Sequence, residues 1–164
     1  MVRKIDAVGA LLNTLFKYSA CLFLALIIFS CFVQVFTRYV MNNSLAWTEE
    51  MARYSFVWMS MLASSVAVRS GNHAAVNILE NKLPGRAKAV HRVIIHLFIV
   101  VGAAFMITQG MKMMGAVSGK PSTVLRIPMQ YIYMAIPVGG FGILVQAVDK
   151  ILTAFRPAEK KGES

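Results

Sequence analysis

Acidic side chains are scarce in this sequence: seven Asp and Glu in 164 residues. Charged residues of both signs make up 15% of the chain and hydrophobic ones 57%, against about 25% and 45–50% in an ordinary soluble domain. Too few polar residues remain to cover a water-soluble surface, and the apolar content excludes a disordered chain. Cysteine is nearly absent. Cys21 and Cys31 fall on one predicted helix, about 15 Å apart by helical rise, so they cannot bridge each other and read as apolar filler. Also missing are a nucleophile constellation, a phosphate loop and an internal repeat. Ser64 and Ser65 have no His or acid spaced to activate them, and Gly139, Gly140 and Gly142 follow no strand, as a dinucleotide fingerprint requires. Without inverted halves the case for a chain that transports alone is weak.

What is present is four runs free of charged side chains: Tyr18 to Thr37 (20 residues), Tyr54 to Val68 (15), Val93 to Met111 (19) and Ile127 to Val148 (22). A helix needs about 20 such residues to cross a bilayer core of about 30 Å. Three runs qualify outright. The second covers only about 22 Å, but Arg53 and Arg69 can snorkel, and a helix starting near Trp47 reaches across. Backbone groups in lipid must be bonded internally, so the prediction is an all-α membrane protein of four transmembrane helices. Its single domain covers residues 1–155, with spans at about 18–40, 47–69, 91–112 and 127–149 and a polar tail over 156–164. Lys17 interrupts the chain before the first apolar run and no small-x-small site follows, so a cleaved signal is not expected.

The net charge of +10 is explained by topology. Twelve of the 17 Lys and Arg fall on the side of the N-terminus and five on the other, which predicts both termini in the cytoplasm. Anionic membrane lipids would attract the same clusters, whereas nucleic acid would need a soluble domain to carry the patch. Ile5, Val8, Leu12, Leu15 and Phe16 recur at helical spacing, predicting an amphipathic segment along the cytoplasmic interface before the first span. A second such piece is expected at Val76, Leu79 and Leu83, ending at Pro84-Gly85.

The candidate chemistry lies at helix ends. Glu49, Glu50 and Arg53 open the second helix, with Thr48 expected as its N-cap and Trp47 in the headgroup zone. A proton or cation site needs a carboxylate deep in a span; these stand at its edge, which favours helix-start electrostatics or a subunit interface. His73, His91 and His96 are not paired mid-span as haem ligands would be, and His91 and His96 point to different helix faces. No metal or other cofactor is expected. Pro128 sits in the first turn of the fourth span, Pro137 frees a carbonyl in its middle, and the glycines after it predict a close-packing seam beside a kink.

The order Arg38, Trp47-Thr48-Glu49-Glu50 with Arg53-Tyr54, then Arg69-Ser70-Gly71-Asn72-His73, then Ile127-Pro128-Met129-Gln130-Tyr131 with Pro137-Val138-Gly139, resembles the small membrane subunit of tripartite ATP-independent periplasmic (TRAP) transporters, the DctQ-like family. The likeness runs from about Arg38 to Lys150, and Trp58 belongs to the same motif-bearing helix. It implies a noncatalytic subunit of the bacterial inner membrane, packed as scaffold against a large multi-span permease subunit that carries the substrate and sodium sites. It also implies a periplasmic binding protein that delivers an organic acid such as sialic acid or a C4-dicarboxylate. The loops 41–47 and 115–126 would then face that protein, with Lys120 and Arg126 attracting an acidic docking surface. Two other readings stand beside it. An autonomous small exporter would carry a carboxylate deep in the first helix, and Tyr18 to Thr37 has none. A haem- or quinone-linked membrane subunit would need the missing paired histidines.

Overall fold

The computed structural model describes residues 2–43, 45–70 and 85–154. The second interfacial piece, His73 and the tail over 156–164 lie outside them. The elements are α1 (Val2–Val40), α2 (Ala46–Ser70), α3 (Gly85–Ala116), the short α4 (Met129–Tyr133) and α5 (Ala135–Ala154). Among the described residues three stretches are long and apolar enough to cross a membrane: Gly9–Val40, Val93–Ala116 and Met129–Leu152. The 25 residues of α2 extend about 37 Å, but two glutamates, two arginines and five serines dilute its hydropathy.

The expected interfacial helix is not a separate element. Residues 5–17 are the first part of a single 39-residue α1, because nothing between Lys17 and Tyr18 breaks the backbone ladder. Within this part the stripe residues Phe16 and Leu15 part company. Gly9 and Phe16 are buried while Leu15 is exposed. Along α1 the buried positions Gly9, Phe16, Ser30 and Thr37 repeat every seven residues, with half-buried Phe23 completing the series. That is the 3.5-residue period of a helix laid along another helix, here α2. α1 ends as Asn42 turns into the left-handed region (φ 46°) and the Asn43 amide donates to the Thr37 carbonyl at 3.1 Å.

Pro137 acts differently from the expected mid-span kink. It lies in the first turn of α5, where its missing N–H costs little. Its ring excludes the Tyr133 carbonyl four residues back, and the chain accordingly breaks at Met134, between α4 and α5. The axis is carried across by Met134 N–H donating to the Gln130 carbonyl (2.9 Å) and Val138 N–H to the Met134 carbonyl (3.2 Å).

Among the described helices α5 is the hub. α1 packs mainly on α2, α2 also on α5, and α3 reaches the bundle only through α4 and α5. The expected glycine seam explains how one helix serves three neighbours. A Cβ at Gly139 would stand 2.8 Å from Met61 Cβ of α2, and one at Gly140 would stand 3.1 Å from Ile107 Cγ1 of α3. At Gly142 it would collide with the Phe16 ring of α1 and with Ser65 Oγ of α2. On the facing helix, Gly110 admits the Pro137 ring in the same way. Lipid chains are as apolar as side chains, so backbone approach of this kind supplies much of the cohesion between membrane helices. A buried apolar cluster of Val68, Ala103, Ile143 and Ala147 joins α2, α3 and α5.

Candidate functional site

The two glutamates that open α2 have opposite fates. Glu49 is exposed and meets Arg53 one turn on at 3.5 Å, with both side chains more than 60% accessible, a contact worth only a few tenths of a kcal/mol. Glu50 is 3% exposed. Its Oε1 accepts the Tyr54 hydroxyl (3.0 Å) and the Thr123 N–H (3.0 Å); its Oε2 accepts Ser122 Oγ–H (3.2 Å), Val124 N–H (3.2 Å) and Leu125 N–H (2.7 Å). Three consecutive backbone amides converging on one anion form a nest, and here the anion is a side chain of the same protein.

The loop that supplies these amides joins α3 to α4. Its two limbs meet where Ser122 N–H donates to the Ile127 carbonyl (2.8 Å) and Met129 N–H to the Lys120 carbonyl (3.0 Å), which pairs Pro121 with Pro128. Ser122 Oγ also accepts the Ile127 N–H at 3.2 Å. The turn is completed by Gly119 (φ 79°) and by Arg126, held at φ 51° although it is not glycine. Lys120 and Arg126 are both exposed on this loop. Thr48 is not the expected N-cap. The helix starts two residues earlier, and the Thr48 hydroxyl, fully buried, donates back to the Leu45 carbonyl at 2.7 Å.

The remaining motif residues are spread along the bundle. Arg38 is exposed at the end of α1, Trp47 is half-buried beside the Glu50 cluster in sequence, and Trp58 stacks on Phe23 of α1 with centroids 5.8 Å apart. Arg69 closes α2 at the opposite end. Its Nη1 donates to Gln146 Oε1 (2.9 Å) and to Asp149 Oδ2 (3.3 Å), while Gln146 Nε2 donates to the Gly9 carbonyl (2.9 Å). A Cβ at Gly9 would lie 2.6 Å from that guanidinium, so glycine leaves room for it. The result is a polar staple across α1, α2 and α5. Sequence reading singled out Arg69 but missed Gly9, Ser122, Gln146 and Asp149. A signal for the last did exist: Asp149 directly follows the charge-free run, on the same predicted membrane side as Arg69. Among the described residues no three or more His, Cys, Asp or Glu are gathered for a metal.

The geometry is thus structural at both ends, with one shaped, basic loop presented outward. The family model described as the DctQ component of tripartite ATP-independent periplasmic transporters matches residues 27–157. A Haemophilus influenzae chain named as a TRAP transporter small permease protein is 32% identical over 87 residues, 53% of either chain. The sialic acid TRAP transporter small permease protein of Vibrio cholerae is 23% identical over 123 residues, covering 75% of this chain and 71% of that one. The isethionate TRAP transporter permease protein DctMQ of Oleidesulfovibrio alaskensis is 32% identical over 100 residues, 60% of this chain but 16% of the longer relative. The chain therefore spans about half the length of the first relative and a small part of the last. Subunits of this kind are transport components and not enzymes. With its apolar helices and this match over 27–157, the chain belongs to the DctQ family of TRAP transporter small permease subunits, multi-pass proteins of the bacterial inner membrane.

Proposed function

We propose that this chain is the scaffold subunit of a TRAP permease: it packs against a large multi-span subunit that performs sodium-coupled uptake of an organic acid, of the sialic acid or C4-dicarboxylate class, delivered by a periplasmic binding protein. The family match carries this reading, and a relative in which the matched segment is 16% of one longer permease chain supports the partnership. In this reading all of α1, α2, α3 and α4–α5 span the membrane with both termini cytoplasmic. The interior agrees with a noncatalytic role, since Glu50 and Arg69 are bonded to their own chain. Large apolar side chains cover the outer faces of α1 (Leu22, Phe29, Phe32, Phe36) and α3 (Phe98, Val101, Phe105), as surfaces for lipid and partner helices require.

Expressed with a large TRAP permease subunit from the same organism, the tagged chain is expected to co-purify with that subunit, and deleting it is expected to abolish uptake. A chain that purifies alone, or uptake undiminished without it, defeats the proposal. A narrower expectation concerns the loop. Lys120→Glu with Arg126→Glu should weaken docking of the purified binding protein about tenfold at low salt, and the difference should shrink as salt screens it. Unchanged affinity at low salt would remove this loop from the docking surface, and unchanged melting temperature would show the subunit still folded.

A further inference from the structure

Glu50 spends a buried carboxylate on a loop, and two features of that loop show what it obtains. The loop's own limbs are tied by few bonds: Ser122 to Ile127 and Lys120 to Met129. Its apex, Thr123 to Leu125, turns its amides inward to Glu50 and leaves Thr123 and Val124 exposed outward. Beyond the apex Arg126 is kept in a left-handed conformation, which costs a non-glycine residue about 1 kcal/mol or more and persists only where the surroundings impose it. The bonds that impose it are those of Ser122 and Leu125 on one side and Ile127 on the other. Glu50 comes from a different helix, and Tyr54, one turn further along it, fixes its Oε1.

We infer that Glu50 is the positioning residue of this loop: its carboxylate seats the amides of residues 123–125 and so fixes the shape in which Lys120 and Arg126 meet an acidic protein partner. This rests on the reading of the loop as a docking surface. Without the carboxylate three amides lose their acceptor, the turn at Arg126 relaxes toward negative φ, and its guanidinium leaves its place. These bonds tie α2 to the α3–α4 loop, and beside them α2 meets α4 through Tyr54 and Met129. α2 keeps its packing on α1 and α5 through Leu62, Ser65 and Val68, far along the helix from Glu50. Affinity for the partner should therefore change while assembly with the large subunit does not.

The test uses the intact complex with its large subunit and, as probe, the purified periplasmic binding protein of the same transport system. Glu50→Ala should speed amide hydrogen exchange at Thr123, Val124 and Leu125 about tenfold and weaken docking by a similar factor, the scale of losing a buried acceptor. Exchange within α1 and α5 and the yield of complex should not move. Glu50→Gln retains one carbonyl acceptor and should fall between, and Glu49→Gln, on the exposed neighbour, should match wild type. Should Glu50→Ala fail to assemble, Tyr54→Phe removes the hydroxyl that fixes Glu50 Oε1 and leaves the loop's own bonds intact, and it is expected to shift exchange and docking together about threefold. Unchanged exchange at 123–125 overturns the inference. So does faster exchange with unchanged docking, if the Lys120 and Arg126 reversals do weaken docking. If those reversals too leave docking unchanged, the docking reading itself has failed, and the inference with it.

Discussion

Gly142→Ala is expected to lower the melting temperature of the detergent-purified subunit by several degrees and to cut its yield, a cost of about 2–3 kcal/mol for an overpacked interior. The added methyl meets two helices at once: the Phe16 ring of α1, and Ser65 Oγ of α2 at 2.6 Å. Neither can retreat easily. Phe16 is 8% exposed and Ser65 is fully buried, so each has neighbours behind it. Pairing Gly142→Ala with Phe16→Leu should recover at least half of the loss, because the smaller side chain gives back the volume the methyl takes. Gly102 of α3 provides the contrast. A Cβ there meets nothing within 4 Å, so Gly102→Ala should be neutral or slightly stabilising through helix propensity. Equal melting temperatures for Gly142→Ala and wild type would sink the account of α5 as a hub built on missing side chains.

Arg69→Leu should be the most damaging charge removal in the described chain. It takes the guanidinium from Asp149, whose side chain is 6% exposed, and a donor from Gln146, which is fully buried. Breaking one partner out of a buried pair costs about 3–5 kcal/mol, whereas replacing both costs much less. The double variant Arg69→Leu with Asp149→Leu should therefore be more stable than Arg69→Leu alone. A double-mutant cycle read by thermal unfolding is expected to give a coupling above about 1 kcal/mol, little changed by salt because the pair is shielded. Arg69→Lys should not rescue fully, since the shorter lysine side chain places its nitrogen short of the position from which Nη1 reaches both Gln146 and Asp149. Additive single effects would mean that the staple contributes nothing beyond its parts.

Helix content, the close-packing role of the glycines and the family were legible in the sequence because each rests on a local signal: a charge-free run, a cluster of small residues, an ordered set of motifs. What was not legible depended on which neighbour a side chain meets. The period of residues 5–16 alone predicts a helix resting on a membrane surface. Its neighbours are α2 and α5, and helix partners select the seven-residue series through Gly9, Phe16 and Thr37, leaving Leu15 outside. Thr48 has the composition of an N-cap, but its hydroxyl turns backward to Leu45. Glu49 and Glu50 look alike in a linear motif, and only the arrival of residues 122–125, more than seventy positions later, separates them. Asp149 stood one residue beyond a run defined by having no charge, so the rule that found the helix passed over the residue that anchors it.

The central place of α5 also bears on how the protein is made. Helices leave the ribosome in chain order, and of those described the last to emerge is the one that takes most of the packing of α3. Between Ala116 and Ala154, synthesis at about 5–20 residues per second leaves α3 waiting for about 2–8 s with Ala103 and Gly110 uncovered. α1 and α2 have each other during that interval, and α3 has no neighbour among them. A slow stretch of translation through residues 117–135 would lengthen this exposure, and is expected to lower the yield of inserted subunit.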